Sequence, residues 1–234
     1  MNLNGISMER NTLGSKAYAA IRDEIVSLRL RPGQMIFENA VAAMLGVSRT
    51  PVREAFYRLQ QEELIEILPQ RGARVAYLSV EKMKEAQWIR ESLEMSAFAQ
   101  AARNWNPDEP KYRDAERKAS ALLEEQRKVI DSSDYTRYVG LDERFHEVIL
   151  ETTGNSRLLV IVSQMKAHLN RMRYLELQEA RHEKDSFRQH EEIFAAIRGN
   201  DAELTGELLQ HHLRLLLDIW PTIIEKNKDL FQSR

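Results

Sequence analysis

The residues Gly46-Val47-Ser48-Arg49-Thr50-Pro51-Val52-Arg53-Glu54-Ala55 join two short segments that both have helical periodicity. The segment from Glu38 to Leu45 is predicted to be a helix, and the glycine after it supplies a tight turn. Thr50 suits the N-cap of the next helix and Pro51 its first position, where no N–H is needed. The apolar face of that helix would be Val52, Ala55, Phe56 and Leu59. This order of elements predicts a helix-turn-helix.

The residues on either side extend this unit. A helix is predicted from Ser15 to Leu28, ending before Pro32-Gly33. After the third helix, which Pro51 begins, the apolar period shortens, and Leu64–Leu68 and Ala73–Leu78 are predicted to be strands of a hairpin around Pro69-Gln70-Arg71-Gly72. We therefore expect a winged helix-turn-helix domain over residues 1–78.

Residues 79–234 carry long amphipathic segments and no strand pattern. The later segments are predicted as helices over 134–152, 155–180, 183–198 and 201–227, with a kink at Pro221 in the last. The fold class is therefore mostly α: an N-terminal winged helix-turn-helix followed by an all-α antiparallel bundle over 79–234.

Composition limits the classes of function. The chain of 234 residues has no cysteine, which permits a cytoplasmic setting and restricts any metal site to nitrogen and oxygen ligands. No stretch is long and apolar enough to be a signal or a membrane span, so we expect a cytoplasmic protein without a membrane partner. Residues 1–78 hold ten basic and eight acidic residues, against 24 and 28 in the remainder, a mild bias that permits DNA binding by the first domain.

Polar groups suited to DNA cluster at the start of the third helix. Arg49 and Arg53 lie four residues apart, so both can enter a major groove, where a guanidinium pairs with guanine. Ser48 and Thr50 can reach phosphates. The alternative is a capped surface helix with solvated arginines, which the surrounding order of helices and wing makes less favourable.

The predicted wing offers a second set of contacts. Gly72 lets the backbone approach a minor groove closely, and Arg71 and Arg74 beside it can contact phosphates. Together with the third helix, the wing predicts double-stranded DNA as a partner.

Three histidines of the second domain lie on apolar helix faces. His190 shares its face with Ile193 and Ile197, and His212 lies among leucines at helical spacing. Asp142 and His146 form an i, i+4 pair on one face of another helix. Three histidines and one aspartate suit a divalent Zn, Ni, Mn or Fe ion with one or two open positions. The alternative for each is a hydrogen-bonded core residue without metal.

The stretch from Pro32-Gly33 through Gly46–Ala55 to Arg71-Gly72-Ala73 resembles the DNA-binding domain of GntR-family regulators. That resemblance implies that Arg49 and Arg53 read bases, that Ser48, Thr50 and Pro51 lie against the operator backbone, and that Gly72 is the minor-groove residue of the wing. The sequence departs from the family pattern at Val41-Ala42, Asn39 and Glu63, which leaves the operator sequence open.

The second domain resembles the FCD ligand-binding domain of the FadR subfamily in its metal-binding form. The residues that carry the resemblance are Asp142-x-x-x-His146, Thr153-Gly154-Asn155, His190 with Ile193 and Ala196-Ile197, and His212-Leu213. It implies a bundle of six or seven helices, a homodimer, and an organic-acid effector whose carboxylate completes the metal coordination. Arg90 matches an effector-side arginine of the family, and a solvated or Glu94-paired arginine is the alternative.

These patterns favour a ligand-responsive transcriptional regulator that binds a near-palindromic operator, and the family resemblance implies that it is a repressor. A metal-dependent hydrolase or oxygenase using the same site is the alternative from another class. The sequence has no nucleophile elbow, no HExxH and no Gly-rich phosphate loop, so no enzymatic activity is expected. A purely structural metal that clamps helices together is a third possibility.

Overall fold

The computed structural model describes residues 4–130, 132, 134–180, 182–215 and 217–232. The chain forms two compact units. The N-terminal unit comprises Met1–Val80 together with the C-terminal segment Asn227–Arg234, and the helical unit comprises Glu81–Lys226. No helix in the described part of the chain combines the length and the apolar composition needed to cross a bilayer.

The N-terminal unit is a winged helix-turn-helix, as predicted. Its three strands form an antiparallel sheet in the order β1-β3-β2, and the β2–β3 hairpin pairs Ile65 with Val75 and Leu68 with Gly72. Ile25, Leu59 and Leu64 are fully buried in its core. The elements are α1 (Asn4–Val26), β1 (Met35–Ile36), α2 (Glu38–Leu45), α3 (Arg49–Gln61), β2 (Ile65–Leu68) and β3 (Gly72–Val75).

Two details of this unit differ from the sequence prediction. The N-cap of α3 is Ser48 and not Thr50, because the backbone of Ser48 is extended and the helix begins at Arg49. The two-residue strand β1 was not predicted, since its stability comes from pairing with Ala73 and Arg74 far along the chain and not from local periodicity.

Gly72 is required by the fold of the wing itself. Its backbone has a φ of +91°, in the region that favours glycine, and it opens strand β3. A Cβ at this position would lie 2.7 Å from the carbonyl oxygen of Ile36. A side chain here would therefore push β1 away from β3, whatever the wing binds.

The helical unit is an all-α bundle, as predicted. Its main core contains Phe98, Phe145, Ile149 and Leu209, all without exposed surface. The helices are α4 (Val80–Asn104), α5 (Pro110–Val129), α6 (Tyr135–Glu151), α7 (Ser156–Ala180), α8 (Glu183–Arg198), α9 (Ala202–Arg214) and α10 (Trp220–Lys226), with a 3-10 turn at Leu217–Ile219 before the last.

The predicted single helix over 201–227 is wrong. Helix α9 ends at Arg214, and α10 begins at Trp220 after the 3-10 turn. Pro221 is the second residue of α10, where its missing N–H costs no hydrogen bond, so it begins a helix and does not kink one.

The C-terminal segment pairs with the end of the wing region. The N–H of Leu78 donates to the carbonyl oxygen of Leu230 at 3.0 Å, and the N–H of Gln232 donates back to Leu78 at 2.8 Å. Leu230 and Phe231 are buried, and Arg31 pairs with Asp229 at 3.1 Å. These contacts explain why this segment belongs to the N-terminal unit, although the sequence suggested only a continuation of the bundle.

Candidate metal centre and DNA-contacting surface

The four predicted metal ligands meet in the helical unit. Asp142 and His146 lie one turn apart on α6, His190 lies on α8, and His212 lies near the end of α9. All four residues are buried, and one ligand atom from each lies within 4.8 Å of the others. The i, i+4 spacing therefore places the carboxylate and the first imidazole on one face, and two further helices supply the other imidazoles.

The Nε2 atoms of the histidines face one another. The Nε2 atom of His212 lies 3.2 Å from that of His146 and 3.2 Å from that of His190. The Nε2 atom of His190 also lies 3.2 Å from Oδ1 of Asp142. Two ligands about 2.1 Å from one ion at angles of about 90–110° are separated by about 3.0–3.4 Å. The spacing of these atoms thus fits a shared metal ion.

Each histidine is oriented by a partner at its other ring nitrogen. The Nδ1–H of His146 donates to Glu94 Oε2 at 2.6 Å, and those of His190 and His212 donate to side-chain oxygens of Gln126 at 2.9 Å and Gln189 at 3.0 Å. Because a carboxylate or amide oxygen can only accept, Nδ1 carries the proton and Nε2 keeps its lone pair. Three lone pairs and a carboxylate that converge in a buried space repel one another unless a cation lies between them.

The charge state of the site also suits a cation. Burial lowers the pKa of the imidazole of His146 to about 4 and outweighs the neighbouring carboxylate of Glu94. Burial likewise holds the pKa of His212 well below its usual range. Both rings are therefore neutral near pH 7, which is the form that binds metals.

Arg173 on α7 holds the carboxylate of Asp142. Its two Nη atoms donate to the two carboxylate oxygens, one of them at 2.7 Å. Burial opposes the ionisation of Asp142, but the guanidinium of Arg173 outweighs it and holds the pKa well below the usual range. Asp142 is thus ionised and fixed in orientation.

A small cavity adjoins the cluster at His212. Its volume is about 40 Å³, and because one water needs about 10–15 Å³ of such space, it holds a few waters or a compact group. Its apolar walls come from leucines and Trp220. The polar residues that line it are Gln87, Arg90, Arg173, Glu176, Ser186 and His212.

Arg90, the predicted effector-side residue, lines this cavity. It is buried, and its Nε donates to Glu94 Oε1 at 2.9 Å. Its Nη2 atom is buried and has no hydrogen-bond partner among the described residues. The pairing with Glu94 that the sequence left open is therefore present, and one donor of Arg90 remains available at the cavity.

The sequence prediction missed the residues that surround the ligands. Glu94, Gln126, Gln189 and Arg173 lie on four different helices and touch the site only through the tertiary fold. A signal did exist for Glu94, which lies at helical spacing within the apolar stripe of Ala97, Phe98 and Ala101 and is fully buried. A charged residue inside such a stripe indicates a buried partner.

The predicted base-reading arginines form one group in the N-terminal unit. Arg49 Nη2 and Arg53 Nη2 both lie 3.2 Å from Glu38 Oε2, and the two arginine side chains are about half exposed. Hydrogen bonds from Arg53 and Arg49 lower the pKa of Glu38, which is ionised. Glu38 at the start of α2 thus holds both guanidiniums at the mouth of a cleft of about 360 Å³ between α3 and the wing.

The other predicted DNA contacts differ in exposure. Ser48 and Thr50 at the start of α3 and Arg71 at the wing tip are exposed. Pro51 is buried, so its side chain packs within the N-terminal unit. Arg74 pairs with Glu66 across the hairpin at 2.6 Å. The DNA contacts of these residues stay predictions.

Comparison with known proteins agrees with this architecture. The model of the gntR family of bacterial regulatory proteins matches residues 13–75, and that of the FCD domain matches residues 85–215. An HTH-type transcriptional regulator of Streptomyces ambofaciens is 32% identical over 92% of this chain and 88% of its own length. The HTH-type transcriptional repressor RspR of Escherichia coli K12 is 27% identical over 94% of both chains. The solved structure of E. coli McbR/YncC has the same fold, with a TM-score of 0.78 at 20% identity over 92% of this chain and 98% of its own.

A winged helix-turn-helix joined to an all-helical unit defines the class of two-domain transcriptional regulators. Within that class, the chain belongs to the GntR family and carries an FCD domain, which is consistent with the FadR subfamily. Regulators with this N-terminal domain bind operator DNA, and the relatives from S. ambofaciens and E. coli K12 are a transcriptional regulator and a transcriptional repressor.

Proposed function

We propose that this protein is a repressor whose operator binding responds to a small carboxylate, sensed in a pocket that contains a divalent metal ion. The observation that carries the proposal is the convergence of three imidazole Nε2 atoms and one carboxylate next to a small cavity that is lined by an arginine with a buried, unpaired donor. A bound divalent ion, Zn, Ni, Mn or Fe, would supply an open coordination position for a carboxylate oxygen.

The ligands of the ion are Asp142, His146, His190 and His212, and Arg90 donates to the carboxylate of the effector. An imidazole that binds a metal ion is neutral, so three imidazoles and the ionised Asp142 would give the set one negative charge, and a dication would leave the site positive. That net charge favours an anionic ligand over a neutral one of the same size.

The operator is bound by the N-terminal unit as a homodimer on a near-palindromic site. Arg49 and Arg53 read base edges in the major groove, and Ser48, Thr50 and the backbone at Pro51 lie against phosphates. Arg71 and Gly72 place the wing at the adjacent minor groove. The carboxylate changes operator affinity through its different affinity for two arrangements of the dimer, typically by about 5–150-fold.

The test uses two adjacent histidines of α9. His212 is buried in the cluster, whereas His211 is exposed. We expect His212→Ala to lose bound metal and the response of operator binding to small carboxylic acids, and His211→Ala to behave like the wild type. Metal content is measured by mass spectrometry, and operator binding by fluorescence anisotropy at fixed salt on a site selected from a palindromic library.

Two outcomes would contradict the proposal. An operator affinity that is the same with and without every carboxylic acid tested, in protein that holds one metal per chain, would remove the sensing function. If chelation instead unfolded the bundle and the acids acted equally on metal-free folded protein, the metal would be structural.

A further inference from the structure

The cavity beside the cluster has a hydrogen-bond acceptor that nothing in the described fold uses. Glu176 on α7 is 1% exposed. Its Oε1 atom accepts a hydrogen bond from the indole Nε1 of Trp220 at 2.5 Å, while Oε2 is buried with no partner among the described residues. Glu176 and Trp220 both line the cavity.

A buried carboxylate oxygen without a donor is costly, because it has lost its hydration and gained nothing in exchange. Burial raises the pKa of Glu176 to about 7, against the opposing effects of Arg173, the Trp220 hydrogen bond and Arg90. A ligand that brings a donor to Oε2 removes this cost. A ligand without a donor leaves the cost in place and also shields the oxygen from water.

We propose that Glu176 is the specificity-determining residue of the effector pocket and that it selects a carboxylic acid bearing a hydroxyl group. The inference rests on the proposed function, since it takes the carboxylate sensor as given. In the bound state the hydroxyl of the ligand donates to Glu176 Oε2, and a ligand oxygen accepts from the unpaired Nη2 of Arg90.

The charges around the cavity favour a neutral hydroxyl over an ammonium as the donor. Arg90 and Arg173 both line the cavity, so a cationic group would lie beside two guanidiniums and a single carboxylate. An amino acid should therefore bind less tightly than the hydroxy acid of the same carbon skeleton.

The size of the cavity favours a compact acid. At about 40 Å³ the space accepts only a few non-hydrogen atoms. Two- and three-carbon acids are thus the right probes, and each hydroxy acid has a deoxy partner of nearly the same shape: glycolate with acetate, and lactate with propionate.

The experiment is calorimetric titration of the metal-loaded full-length protein with each pair of acids. Because each hydroxy acid, unlike its deoxy partner, brings a donor to the buried Oε2 of Glu176, we expect glycolate and one enantiomer of lactate to bind at least about tenfold more tightly than acetate and propionate. Alanine, tested beside lactate, should bind more weakly than lactate.

A matched pair of variants links this preference to the residue. In Glu176→Gln the amide oxygen can keep the Trp220 bond, which turns an NH₂ donor toward the cavity. The ligand hydroxyl then loses its carboxylate acceptor and can only accept from a neutral amide, so the preference for hydroxy acids should fall severalfold. Glu192→Gln on α8 changes an exposed glutamate and should leave the preference intact. Metal content and circular dichroism verify that each variant is folded and loaded.

The outcomes separate this inference from the proposed function. If hydroxy and deoxy acids bind equally to the wild type, the role of Glu176 is overturned while the carboxylate sensor stands, and this comparison needs no variant. A hydroxy-acid preference that is undiminished in Glu176→Gln also overturns it. If no acid of either kind binds to metal-loaded protein, both proposals fail.

Discussion

At the scale of single residues, Glu94 carries a full charge with no exposed surface. Its carboxylate accepts hydrogen bonds from His146 Nδ1 at 2.6 Å and from Arg90 Nε at 2.9 Å, and Lys166 Nζ lies 3.8 Å away. Burial favours the neutral acid, but Arg90, His146 and Lys166 outweigh it and hold the pKa well below the usual range. Glu94 therefore links a predicted metal ligand to the arginine of the cavity.

We expect Glu94→Gln to weaken metal binding by about 10–100-fold, the usual effect of losing a partner that orients a ligand. The amide keeps the shape of the side chain but holds His146 less strongly and leaves the charge of Arg90 uncompensated. Competition with a chromophoric chelator measures the affinity. Glu85→Gln, an exposed change on the same helix, is the control. Equal affinities in the two variants would contradict the orienting role.

Glu176 gives a second prediction at this scale, about stability and pH. Its pKa rises from 4.5 to about 7 on folding, so the folded state binds the extra proton. The stability that the protonated Glu176 carboxyl contributes to the folded state is fully present below pH 4.5 and is lost as the pH rises toward 7. The wild type should therefore lose about 3 kcal/mol of unfolding free energy relative to Glu176→Gln over this range.

The groups beside Glu176 are Arg173, Arg90 and the indole of Trp220, and His212 of the metal site lines the same cavity. Urea unfolding of both proteins at a series of pH values measures the difference, and effects of the metal site cancel because both carry it. Parallel curves for the two proteins would show that the carboxyl is not perturbed.

At the scale of elements, local patterns predicted the helices that have one apolar face. Helix α2 and helix α8 begin and end where the periodicity of the sequence predicts. The strand β1 and the break before α10 were missed because tertiary contacts decide them. β1 exists through two residues of β3, and the break lies in a leucine-rich stretch whose periodicity continues through it.

The candidate site, like the fold, was predicted from the sequence only in part. The four predicted ligands could be found because each lies in the apolar stripe of its own helix, where a histidine or aspartate is conspicuous. The cavity could not be found, since Arg173 and Glu176 of α7 meet Trp220 of α10 only in the tertiary fold, and no pattern in the sequence links them. Which residues border an empty space depends on packing alone.

The third helix and the wing should contribute to DNA binding in different ways. We expect Arg53→Ala to lower operator affinity by about 1–3 kcal/mol and to relax specificity, because a guanidinium at a base edge discriminates between bases. Arg71→Ala, at the exposed wing tip, should weaken operator and random DNA alike and reduce the salt slope by about one.

Anisotropy titrations of both DNAs over a range of salt concentrations separate the two effects. Arg117→Ala, an exposed arginine of α5 in the other unit, controls for the loss of one positive charge. If Arg53→Ala and Arg71→Ala changed operator and random DNA by the same factor, Arg53 would be a phosphate contact and not a base reader.

At the scale of the whole molecule, the chain ends in the unit in which it begins. The segment after α10 returns to pair with Leu78, and it is continuous with the helix whose Trp220 lines the cavity. The stability of the N-terminal unit therefore depends on residues about 150 positions from the rest of its sequence. The residues after α10 therefore stabilise the N-terminal unit, although they follow the helical unit in the sequence.

All three tryptophans of the sequence, Trp88, Trp105 and Trp220, lie in the helical unit, whereas operator binding reports on the N-terminal unit. Phe231→Ala removes a buried aromatic side chain from the C-terminal segment and should destabilise the N-terminal unit by about 3 kcal/mol. We expect operator binding to be lost at a lower temperature, with the tryptophan transition and the metal content unchanged. Gln232→Ala, which keeps the backbone bond to Leu78 but changes an exposed side chain, should leave both transitions in place. If Phe231→Ala shifted the tryptophan transition and spared operator binding, the segment would stabilise the bundle and not the DNA-binding unit.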